Sequence, residues 1–240
     1  MVIRVRRGKE IVTIAHKVLG SAAPVALLLL AACTAEEPAG PPPDAGALVA
    51  AAAAGDADEV RRLLRAGADP DEADADGRTA VTRAAYGGHA EAVRVLLEAG
   101  ADVDRQDATR ANPLLSTGET GFLDVLEEVI RADPDLTRTN RFGGTALIPA
   151  ADRGHVETVR RLLETDIEVD HVNDLGWTAL LEAIILGDGG RAHTEIVRLL
   201  VDAGADVTIA DREGVTPLEH AHASGYDEIA GILERASSAG

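Results

Sequence analysis

A glycine that returns at a fixed interval constrains the fold of this chain more than any other feature of its sequence. The evenly spaced glycines are Gly55, Gly88, Gly121, Gly154 and Gly187, and Gly225 follows after a slightly longer interval. A threonine or asparagine, a leucine pair and the tripeptide Gly-Ala-Asp recur in the same rhythm. A period of this length is typical of repeat architectures, in which each unit is one supersecondary element and neighbouring units share a core. The sequence therefore predicts a solenoid of about six repeats.

Each predicted repeat carries the signals of two helices. A threonine precedes the first helix, where its hydroxyl can accept from the free N–H groups of the first turn; these residues are Thr79, Thr145, Thr178 and Thr216. Pro113 and Pro217 occupy the first helical position, where a missing N–H costs nothing. The periodic glycine follows the first helix, where a left-handed conformation ends it. The second helix has an apolar stripe, as at Val60, Leu63 and Leu64, that only stacking with neighbouring repeats can bury.

Residues 76–104, DGRTAVTRAAYGGHAEAVRVLLEAGADVD, resemble an ankyrin repeat, and so do the segments in register with them. The resemblance implies an all-α repeat fold, an ankyrin-repeat solenoid of about six helix-turn-helix units with hairpin-like fingers. It covers residues 45–236, which precede a predicted disordered tail, 237–240. The predicted repeats are 45–73, 74–106, 107–139, 140–172, 173–210 and 211–236.

The repeats depart from the family pattern at three points. The family's Thr-Pro-Leu-His tetrapeptide is never complete, and the loss of its histidine bears on the hydrogen bonds between repeats, hence on stability. In repeat three, Arg110 stands where a turn glycine is expected, and Asp133 begins the segment that replaces Gly-Ala-Asp. Repeat five carries an insertion, 188–192, between its helices, and we expect it to form a surface separate from the fingers.

Residues 1–32 differ from the repeats in charge and in apolar content. Basic residues outnumber acidic ones here, and an apolar run extends from Val18 to Ala32, the order typical of a secretory signal peptide. The exit, Leu30-Ala31-Ala32-Cys33, resembles the lipobox of bacterial lipoproteins, whose cysteine becomes the lipidated first residue. We predict a cleaved lipoprotein signal peptide over 1–32, a Pro-rich acidic tether over 33–44 and a lipid on Cys33.

Three other interpretations of this N-terminal segment are disfavoured. A retained transmembrane anchor is disfavoured because the apolar run is short and contains Pro24, whereas a spanning helix needs about 20 apolar residues. A twin-arginine export signal at Arg6-Arg7 is disfavoured because Gly8-Lys9 follow where that signal prefers an apolar pair. A buried Cys33 in an N-terminal helix is disfavoured because a Pro-rich segment follows it.

Composition excludes several functions. A net charge of −18 and 2% aromatic residues disfavour nucleic-acid binding, which needs basic residues and stacking platforms. With Cys33 as the only cysteine, intramolecular disulfides and cysteine-rich zinc sites are impossible. The segment from Glu72 to Gly77 mimics the start of an EF-hand loop, but the twelfth residue is Arg83 instead of the required Glu, so we predict a finger turn. We predict no catalytic residue, metal or cofactor, and folding without either.

The function that the ankyrin resemblance implies is a non-enzymatic protein-protein interaction module. With the lipid on Cys33 as its only membrane contact, a monomeric domain is expected on the extracytoplasmic side of a bacterial cell envelope, bound to another protein and not to nucleic acid. A regulator or accessory subunit of an envelope enzyme and a structural envelope protein are the alternatives.

The family's contact positions lie at the finger tips and just before the periodic glycine. In repeats four and five they predict a partner-binding site on the concave side, where Trp177 and Phe142 could instead pack finger against finger. The predicted residues are Arg141, Phe142, Asp152, Arg153, Asp174, Leu175, Trp177, Ile185 and Leu186.

Overall fold

The computed structural model describes residues 3–7, 10–14, 44 and 46–239. Contacts divide the chain into two units, Met1–Pro38 and Ala39–Gly240. In the first unit, Ile3–Arg7 (β1) and Glu10–Ile14 (β2) form an antiparallel hairpin, which the signal-peptide interpretation did not predict. Both strands are rich in β-branched residues, which favour extended backbone. The apolar run from Val18 to Ala32, the lipobox with Cys33 and the tether up to residue 43 lie outside the described residues.

The described residues of the second unit form twelve helices in six pairs, one pair in each predicted repeat. This arrangement confirms the predicted all-α solenoid. The pairs are α1 (Ala47–Ala54) with α2 (Ala57–Arg65), α3 (Ala80–Tyr86) with α4 (Ala90–Glu98), α5 (Pro113–Thr120) with α6 (Leu123–Arg131), α7 (Leu147–Asp152) with α8 (Val156–Leu163), α9 (Ala179–Ile185) with α10 (Arg191–Asp202), and α11 (Pro217–Ser224) with α12 (Asp227–Ala239).

The helices pack in two layers with a continuous core between them. First helices contact first helices, from α1 on α3 through to α9 on α11, and second helices contact second helices in the same way. The leucines of the second helices fill the core, where Leu96, Leu126, Leu162 and Leu200 are fully buried. Buried alanines such as Ala84 let neighbouring first helices approach closely, so a core with few aromatic residues suffices.

The predicted helix caps form in most repeats. Thr79, Thr178 and Thr216 each accept a hydrogen bond from the third residue of the following helix, and Asn112 does the same at α5. Thr145 was also predicted as a cap, but α7 begins one residue later, and the Ile148 N–H donates to the backbone oxygen of Thr145 instead. Because that N–H is already used, the Thr145 hydroxyl is buried without a partner among the described residues.

Five of the six periodic glycines adopt the expected left-handed conformation, with φ between 71° at Gly225 and 74° at Gly121 and Gly154. Gly187 differs because the insertion moves the left-handed turn to Gly189. A Cβ atom at Gly187 would lie 2.1 Å from the Ala183 carbonyl oxygen, so close packing requires glycine there for another reason.

Repeat three reaches the left-handed conformation without glycine. Arg110 has φ 61° and Asp133 has φ 54°. This left-handed conformation is unfavourable in free energy for any residue other than glycine, because the side chain is crowded by the backbone. The backbone of repeat three therefore follows the same path as in the other repeats, although its sequence departs from the pattern.

The C-terminal end corrects one prediction. Helix α12 continues to Ala239, whereas 237–240 was predicted to be a disordered tail. The hydroxyl of Ser237 donates to the Leu233 carbonyl at 3.0 Å, which lets a polar residue remain within the helix. Among the described residues, no helix has the length and apolar content needed to cross a membrane.

Candidate functional site

Each of the five fingers is closed by one Asp or Asn side chain. In repeat five, Oδ1 of Asn173 accepts from the backbone N–H groups of Leu175, at 2.9 Å, and Trp177, at 3.0 Å. Asn140 does the same in repeat four, as do the residues at the equivalent positions, Asp74, Asp107 and Asp211. The sequence analysis missed this series, although it follows the same rhythm as the periodic glycines.

The calcium-loop mimic at Glu72 to Gly77 belongs to the same series. Oδ1 of Asp74 accepts from the N–H groups of Asp76 and Arg78, while its Oδ2 pairs with Arg83. The carboxylate is thus used in a finger turn, as that interpretation predicted. Within the described part of the chain, no three His, Cys, Asp or Glu side chains are grouped as metal ligands.

A histidine near the start of the second helix, and not the histidine of the family tetrapeptide, forms a hydrogen bond between neighbouring repeats. The Nε2–H of His89 donates to the Ala53 carbonyl at 3.2 Å, that of His155 to the Glu119 carbonyl at 3.2 Å, and that of His193 to the Asp152 carbonyl at 2.9 Å. Each bond reaches the preceding repeat. The incomplete tetrapeptide suggested that hydrogen bonds between repeats are lost. The histidine of the second helix supplies such a bond at these three junctions.

A groove of about 480 Å³ lies between the fingers and the first helices of repeats two to five. Six of the nine predicted contact residues line it: Arg141, Phe142, Asp152, Arg153, Leu175 and Leu186. Three of these are large apolar residues with high exposed fractions, 52% for Phe142, 47% for Leu175 and 51% for Leu186. The structure therefore brings two finger tips and the end of α9 to one surface.

The other three predicted residues do not line this groove. Asp174 is exposed, and its N–H donates to the Phe142 carbonyl at 2.9 Å, which joins neighbouring fingers. Trp177 and Ile185 are half-buried. The only tryptophan of the chain is thus not a lining residue, and the exposed apolar residues of the groove are Phe142 and the two leucines.

Most ionisable groups of the groove are already paired. Nε of Arg78 donates to Asp107 at 2.9 Å, and the Tyr86 hydroxyl donates to Glu119 at 3.0 Å. Burial and the charge of Glu119 raise the pKa of Tyr86 to about 12. Arg153 lies 3.6 Å from a carboxylate oxygen of Glu119 and 3.6 Å from one of Asp152.

Glu182 is the exception, and sequence reasoning did not select it. This side chain lies on the groove side of α9, is only 7% exposed, and accepts a 2.7 Å hydrogen bond from Nδ2 of Asn173. Burial, together with the negative charge of Asp152, raises the pKa of Glu182 to about 7. Glu182 is the single charged residue of the helix ALLEAII, a signal that could have been read from the sequence.

The insertion forms part of a second concave surface. Asp188 Oδ1 accepts from the Gly190 N–H at 2.8 Å, which shapes the turn before α10. Arg191 lines this surface together with residues of α8, α10 and α12, and the surface shares no residue with the groove at the fingers. The prediction that the insertion forms a separate surface is thus confirmed.

Stacked helix pairs with fingers and a concave groove define a repeat-type binding scaffold. The chain belongs to the ankyrin-repeat family, since the family model described as "Ankyrin repeats (3 copies)" matches residues 16–109 and 114–211. The first match begins upstream of the first predicted repeat. Ankyrin-repeat domains are generic protein–protein interaction modules, and the repeats of this chain form such a domain.

Solved structures support the assignment. An ankyrin repeat domain from Acinetobacter baumannii AYE is 46% identical, with a TM-score of 0.78, over 81% of this chain and 99% of that one. The ankyrin repeat protein EF0377 is 37% identical, with a TM-score of 0.77, over 80% of this chain and 98% of that one. YahD of Escherichia coli (strain K12), also named as an ankyrin repeat protein, is 48% identical over 52 residues. That match covers 22% of this chain and about a quarter (26%) of YahD.

Proposed function

We propose that this chain is a non-enzymatic binding protein whose finger-side groove holds a segment of a partner protein. The observation that carries the proposal is the convergence of Phe142, Leu175 and Leu186 on one concave surface. Six large apolar residues are exposed among those described, and these three are half of them. Single exposed apolar residues are ordinary, but a cluster within a groove marks a recognition site.

Most ionisable groups of the groove are paired; Glu182 is not, but among the described residues no Ser, Cys, Lys or His lines the groove to act with it as a catalytic pair. This supports a binding role without catalysis. Burial raises the pKa of Asp107, but hydrogen bonds from Thr109, Ala111 and Arg78 outweigh burial and hold that pKa below its usual range; the Thr109 hydroxyl donates at 2.7 Å. Such a carboxylate is a poor general base. Tyr86, with a pKa of about 12, stays protonated and is a poor nucleophile.

We further propose that the domain acts as a monomer on the extracytoplasmic side of a bacterial envelope, anchored by a lipid on Cys33. The support is the order of basic residues, apolar run and Leu30-Ala31-Ala32-Cys33, followed by a Pro-rich segment. The acidic repeats are repelled by anionic headgroups, so the lipid would tether the domain without drawing it onto the membrane surface.

The binding proposal is tested by crosslinking followed by pull-down from detergent-solubilised envelopes, with the full chain as bait. We expect the wild type and Arg191→Ala to recover the same partner, and Phe142→Ala combined with Leu186→Ala to lose it. Trp177→Ala should bind normally because Trp177 does not line the groove. Melting temperatures control for folding. Loss of the partner in Arg191→Ala alone would move the site to the second surface and contradict the proposal.

A further inference from the structure

The floor of the groove holds a buried carboxylate that faces the open side. Among the described residues, no Arg or His lies within ion-pair distance of Glu182, and the one side chain that donates to its carboxylate is Asn173, whose Nδ2–H donates to Oε1. In the same part of the chain, the enclosed polar atoms without a partner are Asn112 Nδ2, Thr145 Oγ1 and Thr158 Oγ1. Oε2 of Glu182 is not one of them, so this oxygen remains accessible from the groove and has no hydrogen-bond donor.

The cations of the groove are engaged elsewhere. Arg78 is bound to Asp107, and Arg153 is shared between Glu119 and Asp152. The guanidinium of Arg141 lies over the Phe142 ring, 4.8 Å from its centroid. Asp152 therefore has only a shared, distant counter-ion, and the neighbouring Glu182 has none among the described residues. No cation of the described residues is therefore placed against Glu182, which leaves a local deficit of positive charge beside this carboxylate.

The electrostatics of the site agree with that deficit. Desolvation and the charge of Asp152 both disfavour ionised Glu182 and raise its pKa to about 7. A cation between the two carboxylates would favour the ionised form, because an opposite charge at close range lowers a carboxylate pKa. The net charge of −18 would also attract a basic segment over a longer distance.

We propose that Glu182 and Asp152 form a subsite for one basic side chain, a Lys or Arg, of the partner protein. The residues beside that basic side chain are apolar and contact Phe142, Leu175 and Leu186. This inference rests on the proposed function, since it specifies the chemistry of the segment that the groove holds. The carboxylate pair selects the register of the segment, and the apolar residues supply contact area.

Glu182 also has a structural role, because it orients the amide of Asn173. Glu182→Gln separates the two roles: the glutamine oxygen can still accept from Asn173 Nδ2, but the charge is gone. Glu213→Gln is the matched control, because it removes one negative charge from an exposed finger position outside the groove. Asp152→Asn removes the second carboxylate of the pair.

The experiment pans a phage-displayed library of random heptapeptides on the full chain at pH 7.5. We expect peptides selected on the wild type to share a Lys or Arg at one position, flanked by apolar residues. A selected arginine peptide should bind Glu182→Gln and Asp152→Asn about tenfold more weakly and Glu213→Gln unchanged. Replacing its arginine by neutral citrulline should cost about tenfold on the wild type and clearly less on Glu182→Gln, where only Asp152 remains, and this difference is the coupling that a direct contact requires.

Three results would overturn the inference. Peptides that depend on Phe142 but show no fixed basic residue would remove the subsite and leave the proposed groove function standing, as would a basic preference unchanged in Glu182→Gln. If no selected peptide loses binding to Phe142→Ala, both the groove function and the subsite are wrong.

Discussion

Nδ2 of Asn173 donates a 2.7 Å hydrogen bond to Oε1 of Glu182, so one amide joins the fifth finger to helix α9. The Oδ1 atom of the same amide closes the finger turn by accepting from Leu175 and Trp177. Three equivalent finger positions hold aspartate, which can only accept. Position 173 needs a donor as well, because a buried carboxylate faces it.

The first prediction concerns Asn173→Asp. This change keeps the acceptor for the finger turn but places a second carboxylate against Glu182, and like charges in a buried site are costly. We expect the free energy of unfolding to fall by about 2 kcal/mol at pH 8 and by less at pH 5, where Glu182 takes up a proton. Urea unfolding at both pH values measures this.

Asn140→Asp is the matched control. It makes the same change in a finger where no described carboxylate bonds the amide, so its stability should stay within about 0.5 kcal/mol of the wild type. Equal losses at both positions would show that the Glu182 contact is not the cause.

The second prediction concerns the pH dependence of stability. The pKa of Glu182 is raised in the folded state to about 7 from an ordinary value of 4.5, so between these values the folded chain binds more protons than the unfolded chain. Stability contributed by this group is therefore complete below about pH 4.5 and is lost as the pH rises towards 7.

Glu182→Gln removes this titration. Relative to the wild type, we expect the variant to gain roughly 2 kcal/mol between pH 4.5 and pH 7.5, a value reduced from the full shift because the groove is open to water. Glu213→Gln should follow the wild type throughout. Parallel curves for Glu182→Gln and the wild type would contradict the raised pKa.

The third prediction concerns the left-handed residue of repeat three. Asp133 has φ 54° and an exposed side chain with no hydrogen bond among the described residues. Asp133→Gly should therefore stabilise the domain by about 1 kcal/mol, because glycine adopts this conformation without steric cost. Gly100, the equivalent residue of repeat two, has φ 92°, and Gly100→Ala should destabilise by a similar amount. Thermal unfolding of both variants gives the comparison, and a destabilised Asp133→Gly would contradict it.

The fourth prediction compares two glycines inside helices. A Cβ atom at Gly118 in α5 would lie 2.2 Å from the Ala146 carbonyl oxygen, which is backbone and cannot move alone. We expect Gly118→Ala to destabilise by about 2 kcal/mol or more, despite the higher helix propensity of alanine. At Gly231 in α12, the nearest atom is the flexible end of Arg235, 3.3 Å away. Gly231→Ala should stabilise by about 0.5 to 1 kcal/mol, and denaturant midpoints measure both.

The fifth prediction concerns Cys33. If residues 1–32 are removed and Cys33 carries a lipid, an alkyne fatty acid fed to cells should label the wild type and spare Cys33→Ser. The variant should also leave the membrane fraction, because a lipid anchor is its only proposed attachment. Equal labelling of the two proteins would contradict the anchor.

The repeat architecture could be predicted from the sequence because its determinants are local and recur. The evenly spaced glycines, the caps at Thr79, Thr178 and Thr216, and the leucine stripes each act within one helix pair. Thr145 and Gly187 show the limit of such reasoning. At Thr145 a backbone hydrogen bond replaces the cap, and at Gly187 the insertion moves the turn. A pattern that considers each position separately predicts neither effect.

The finger-tip rule selected six residues that line the groove, because the position of a finger tip follows from the repeat. It also selected Trp177, which is half-buried and does not line the groove. Side-chain exposure depends on the neighbouring repeat, which the rule does not include.

The amino-acid pattern alone specifies that this chain forms ankyrin repeats, how many it has and where each helix pair begins. What those repeats bring together follows only from their stacking. Asp152, Asn173 and Glu182 lie on α7, a finger and α9, and they line one groove because stacking packs α7 of repeat four against α9 of repeat five. The pKa of Glu182 is raised by burial and by the charge of Asp152 in the preceding repeat, and these long-range effects exist only once the chain is folded.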